Sequence, residues 1–142
     1  MFLGIDYGQK RIGLAMGSQF PRGIGTLNNP GSFDIIVDKI YVICMDYDIE
    51  KIIVGHPTKL SGEPGELTEE IRFFVKRLKQ KTGIPVVLEE EAYTSVEAEE
   101  ELRRRGLSPQ EDKDKIDELA AILILEQYLE KKEREERISK NF

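Results

Sequence analysis

The sequence predicts an α/β fold on a mixed sheet, and three observations carry that expectation. Residues 2–5 and 11–16 are short apolar stretches on either side of Asp6-Tyr7-Gly8-Gln9-Lys10, a turn-forming run, so the chain opens as a β-hairpin. Residues 51–54 and 85–88 are further strand-length apolar stretches, and they alternate with segments of helical periodicity, as parallel strands joined by helices do. With 142 residues and 39% hydrophobic content, the chain has the size of one domain, burying roughly two-thirds of the surface its unfolded form exposes. A single domain over 1–142, with a charged C-terminal tail from about residue 130, is therefore expected.

After the hairpin, a third strand is expected at 24–28, between Pro21 and Gly23 on one side and the breaker Asn28-Asn29-Pro30-Gly31 on the other. Ser32 is placed to cap a helix in which Phe33, Ile36, Val37, Ile40, Ile43 and Cys44 keep three-and-four spacing to about Tyr47. The strand at 51–54 leads into a loop, 55–66, rich in Gly and Pro. Ile71, Phe74, Val75 and Leu78 then mark a helix whose last turns carry Lys76, Arg77, Lys79 and Lys81, cations that suit the negative end of the helix dipole, and Gly83 ends it. The strand at 85–88 runs into Glu89-Glu90-Glu91. Thr94 and Glu97 have capping-box spacing for a helix that stops at Gly106. A final helix is expected from about Ile116 past Tyr128, apolar all round over 120–125 and hence buried there.

Composition narrows the function classes. The longest apolar run, 120–125, is far short of the roughly 20 residues that span a bilayer, and MFLGIDYG lacks the basic start of a secretory signal, so a cytoplasmic protein without membrane contact is expected. Cys44 is the single cysteine, which excludes an internal disulfide and argues against a cysteine metal site. A formal charge of −6 speaks against a surface coated with nucleic acid, while leaving room for a local basic surface beside an acidic centre.

That acidic centre is the candidate site. Asp6 closes the first strand, Glu90 or Glu91 closes the last, and Asp117 opens the last helix with Asp114 one turn earlier. In α/β sheets the carboxyl ends of parallel strands form the ligand crevice, where such acids can meet. Clustered carboxylates need cations. Two Mg²⁺ ions would neutralise them, activate a water and stabilise the leaving oxygen of a phosphodiester. Each acid also has a plain reading: Asp6 as a turn former, the glutamates as a solvated strand end, Asp117 as compensation of the helix dipole. Lys10 and Arg11, beside Asp6, either hold a phosphate or merely solvate the turn. Gly4, Gly8 and Gly13 match no nucleotide-binding motif.

GIDYGQKRIGLA at 4–15, IIVGHPTKLSGEPGE at 52–66, EEAYTSVEAE at 90–99 and IDELAAILILEQYLE at 116–130 together resemble the YqgF family, also called RuvX, along nearly the whole chain. The resemblance implies a ribonuclease H-like fold: a mixed five-stranded sheet, its first three strands antiparallel and its last two parallel, with helices on both faces. It implies divalent-metal nuclease chemistry with Mg²⁺ or Mn²⁺, and a role in maturing the 5′ end of precursor 16S rRNA, with ribosomal particles as associated partners. By position, it places metal ligands at Asp6, Glu91, Asp114 and Asp117, catalysis on Asp6, Glu91 and Asp117, and nucleic-acid contacts on Lys10 and Arg11. The family's Asp-Glu-Arg falls on Glu90, Glu91 and Ala92, so Glu replaces the Asp and an Arg is missing. Two alternatives remain: a resolvase of branched DNA, which would act as a dimer on a four-way junction, and a ribosome-assembly or nucleic-acid-binding protein that does not turn over. The sequence carries no signal of oligomeric state.

Overall fold

The structure, a computed structural model, describes residues 1–56, 66–90 and 95–141. Its elements run β1 (Phe2–Tyr7), β2 (Arg11–Gly17), β3 (Arg22–Asn28), α1 (Phe33–Asp46), β4 (Lys51–His56), α2 (Glu66–Thr82), β5 (Val86–Glu90), α3 (Ser95–Arg104) and α4 (Lys113–Lys140). The sheet is five-stranded in the order β3-β2-β1-β4-β5. β1, β2 and β3 pair antiparallel, whereas β1 with β4 and β4 with β5 are parallel. This is the mixed sheet expected, with helices on its faces.

Strand alternation divides the sheet into two unlike sides. On one, Leu3, Ile5, Ile12, Leu14, Ile52 and Val54 pack with Ile36 and Ile40 of α1 and Phe74 and Leu78 of α2. The Asp34–Arg77 and Asp38–Lys81 ion pairs tie α1 to α2 at the surface. On the other side, Phe2 and Ile53 pack against Ile124 and Leu125 of α4. Helix α4 is the long element, 28 residues, and it crosses the strands.

Several boundaries differ from the sequence expectation for definable reasons. β1 continues through Asp6 to Tyr7, because the Tyr7 ring is buried against Phe74 with centroids 4.7 Å apart. α4 starts at Lys113, ahead of its first apolar residue; its opening turn is polar and so carries no periodicity to detect. The Asp112 side chain does not cap α4 but accepts the Ser108 N–H at 2.8 Å, fixing the turn before it. β5 reaches Glu90, which puts Glu89 inside the sheet. Helix α3 ends at Gly106 (φ 70°) with Leu107 N–H bonded to Leu102 C=O at 2.9 Å and Gly106 N–H to Arg103 C=O at 3.1 Å, the paired bonds of a Schellman cap. Thr94 and the expected capping box lie outside the described residues.

Candidate active site

The site is built on glycines. A β-carbon added at Gly4 would lie 2.9 Å from the carbonyl oxygen of Ala121, one at Gly13 would overlap the carbonyl of Asp117, and one at Gly55 would overlap the Ile124 side chain. These three residues, on β1, β2 and β4, form a bare strip on which α4 rests with its backbone close to the sheet. No nucleotide motif is involved; the glycines permit a close approach.

Asp6 lies in the middle of this strip. It pairs with Gly13 of β2 on one side and Gly55 of β4 on the other, and Gly55 pairs in turn with Glu89 of β5. Gly13, Asp6, Gly55 and Glu89 thus form one row across the sheet, all on the α4 side. Because the Asp117 backbone carbonyl sits over Gly13, whose strand neighbour in that row is Asp6, the first strand and the last helix bring two of the expected acids to one side of the sheet. Asp6 is partly buried, and the Asp117 side chain is 22% exposed. Asp114 is on the same helix in its first turn but 76% exposed.

Arg11, the first residue of β2, reaches into this wall. Its Nε donates to Asp117 Oδ2 at 2.6 Å and lies 3.7 Å from Asp114 Oδ1. The Asp117 hydrogen bond, and then its charge, raise the guanidinium above its already high ordinary pKa. The expected phosphate contact is therefore engaged with the acids, whereas Lys10 is exposed in the turn. A cleft of about 420 Å³ opens beside this ion pair, lined by Arg11, Asp112, Lys113, Asp114 and Lys115 among others.

Two positioning residues were not visible in the sequence. Asn29, read there as part of a breaker, clamps the β1–β2 turn: its Nδ2 donates to Gly8 C=O at 2.9 Å and to Tyr7 Oη at 3.2 Å, and its N–H bonds Lys10 C=O at 2.8 Å. Glu89, read as one of three strand-end acids, is 5% exposed and bonded to Lys131 of α4 at 2.9 Å, which holds the lysine's pKa up. Strand parity, continued through 85–89, is the signal that separates Glu89 from a solvated end. Glu90 ends β5 opposite His56, and Glu91 lies outside the described residues, so the third acid is not located. Among the described residues, no three His, Cys, Asp or Glu side chains gather closely enough to enclose a metal ion.

The sequence profile described as "RuvX: Holliday junction resolvase" matches residues 1–131. The chain belongs to the RuvX family. Among curated relatives, a "Putative pre-16S rRNA nuclease" of Syntrophus aciditrophicus is 39% identical over 130 residues, covering 90% of this chain and 87% of the relative. A protein of the same name from Thermosynechococcus vestitus is 37% identical over 132 residues, covering 90% and 86%. Among solved structures, Thermus thermophilus RuvC in complex with a Holliday junction substrate superposes with a TM-score of 0.56 at 14% identity, covering 87% of this chain and 89% of RuvC. This RuvX chain therefore has the RuvC fold, which is ribonuclease H-like. Within it the glycine strip sets the height of α4, and that height brings the Asp117 backbone onto Gly13, the β2 neighbour of Asp6.

Proposed function

We propose that this chain is a divalent-metal-dependent endonuclease that hydrolyses phosphodiester bonds in precursor 16S rRNA during 5′-end maturation. The observation that carries the reading is the placement of Asp117 over Gly13, the strand neighbour of Asp6, on the α4 face, with Arg11, Lys113 and Lys115 along the adjoining cleft. Family membership and the names of its relatives support the substrate.

The donor chemistry fits a hard cation: carboxylate oxygens are what Mg²⁺ and Mn²⁺ take. Asp6 and Asp117 are the proposed ligands, with Asp114 one turn before Asp117 on α4 and Glu91 as the acid that the family pattern adds. A bound divalent metal supplies Lewis acidity and a water of lowered pKa. The protein's own part is placement. Arg11, Lys10 and the cleft lysines hold the phosphate backbone, and the partly buried wall limits water around the reacting phosphate. Hydrolysis adds water across the phosphodiester: a new P–O bond forms, the bond to one ribose oxygen breaks, and that oxygen leaves with a proton. The proposal takes residues 1–142 as one catalytic domain working in the cytoplasm, on RNA within ribosomal particles. No described helix is long and apolar enough to cross a membrane.

The test is cleavage of end-labelled precursor 16S rRNA and of a four-way DNA junction by purified protein in Mg²⁺, Mn²⁺ or EDTA. Metal-dependent cutting of the RNA, lost in Asp6→Asn, is expected. Cutting of the junction alone would replace the substrate, and binding without cutting would make this a non-catalytic assembly protein.

A further inference from the structure

We infer that Arg11 is a latch shared between the metal and the nucleic acid: it closes on Asp117 when the site is empty and is handed to a substrate phosphate when metal binds. This inference rests on the proposed metal role of Asp117. Four observations support it. First, the Arg11–Asp117 bond at 2.6 Å commits to the guanidinium a carboxylate oxygen that a cation would need. Second, the backbone of Asp117 cannot withdraw, because its carbonyl rests on Gly13 with no room even for a β-carbon beneath it, so any change at this contact falls to the two side chains. Third, Arg11 can move: it is a long side chain, 28% exposed, anchored at the edge of a turn. Fourth, Lys113 and Lys115 line the cleft beside it, together with Glu111, Asp112 and Asp114, so a phosphate held at those lysines would offer the guanidinium another partner.

An arginine stays charged at any working pH, so protonation cannot open this contact; only competition can. A cation competes for Asp117 and frees Arg11. A phosphate competes for Arg11 and frees Asp117. Each ligand thus removes a cost that the other would otherwise meet, and linkage requires the two effects to be the same factor. The result is a nuclease site that fills with metal and nucleic acid together and holds metal weakly without substrate.

The test is calorimetric titration of the full chain with Ca²⁺, an oxygen-seeking ion, with and without a short single-stranded RNA. Arg11→Gln is expected to bind Ca²⁺ about tenfold more tightly than wild type in the absence of RNA. RNA should tighten Ca²⁺ binding by about the same factor in wild type and leave it unchanged in Arg11→Gln. Arg11→Lys, which keeps the charge but not the planar fork, should fall between them. Arg22→Gln is the control for charge alone, since Arg22 is an exposed arginine on β3 outside the proposed site. Equal Ca²⁺ affinity in wild type and Arg11→Gln would overturn the latch and leave the metal site standing. An equal gain in Arg22→Gln would also overturn it, reducing the effect to a general field. No Ca²⁺ binding by any form, with Asp117→Asn indistinguishable from wild type, would remove the metal reading and the latch with it.

Discussion

The two sides of the sheet are built by opposite means. The side under α1 and α2 is filled with large side chains, Leu3, Ile5, Ile12, Leu14 and Phe74 among them, none more than 2% exposed. The side under α4 is kept low by Gly4, Gly13 and Gly55, and its apolar cluster is small: Phe2, Ile53, Ile124 and Leu125, joined by Tyr128 and Leu129. Burial on the first side supplies stability in proportion to apolar area. The second side gives up volume so that a helix backbone can come close, and that closeness puts a carboxylate of one distant segment beside another. The difference predicts that damage to the first side lowers stability with the site intact, and damage to the second displaces the site at a smaller cost in stability.

The largest expected effect is Phe74→Ala, which empties a fully buried ring site between α2 and Tyr7 and should cost about 4 kcal/mol in urea unfolding. The fraction that remains folded should keep wild-type metal affinity; if affinity falls in step with stability, the two sides are not separable. Gly13→Ala comes next, at about 3 kcal/mol, because the new methyl meets the Asp117 carbonyl and backbone has to shift. Here metal binding and cleavage should vanish, even under conditions where circular dichroism shows a folded protein. Gly55→Ala sharpens the point. Its methyl meets the Ile124 side chain at Cδ1 and Cγ1 and no backbone atom, so α4 keeps its place while the side chain repacks, and the expected loss is about 2 kcal/mol with activity largely kept. A larger loss at Gly55 than at Gly13 would show that side-chain packing, not backbone approach, governs the α4 side.

Much of this contrast is legible in the sequence, and the remainder is hidden for a common reason. The order of strands and helices, the caps at Gly83 and Gly106, and the positions of Asp6 and Arg11 near strand ends follow from local patterns, whereas Asp117, expected to open the last helix, lies in its second turn. The glycine strip does not. Gly4, Gly13 and Gly55 acquire a meaning only when β1 is set in register with β2 and β4 and α4 is laid over them, which no window of neighbouring residues contains. Arg11 likewise reads as a phosphate contact in its own turn, while its partner Asp117 is 106 residues away. Glu89 was masked by the two glutamates that follow it, although its place one residue past Leu88 on an alternating strand aims it at α4 and Lys131.

The smallest expected effect belongs to the well-filled side and is an absence of reaction. Cys44 is buried on α1, and burial pushes its thiol from 9.0 up to about 11. Iodoacetamide at about pH 8 should leave it unmodified in the folded protein and label it on unfolding, because only the exposed thiolate reacts. The sign of the linked pH effect follows. Between pH 9 and about 11 the unfolded chain ionises this thiol and the folded one does not, so stability falls as pH rises through that window and is unaffected below it. Chemical denaturation at a series of alkaline pH values, compared with Cys44→Ala, reads this directly: the downward slope should be shallower in the variant.

The crossing of α4 over four strands also sets an order in time. Translation delivers Asp6 within the first strand and Asp117 only near the start of the last helix, after every strand has emerged. Until α4 settles, the row Gly13-Asp6-Gly55-Glu89 faces open solvent and Arg11 has neither Asp114 nor Asp117 to hold. A nascent or truncated chain is thus unable to assemble the wall where cleavage is proposed to occur. With the site as proposed, a nuclease made on ribosomes would lack its cleavage wall until its last element has docked.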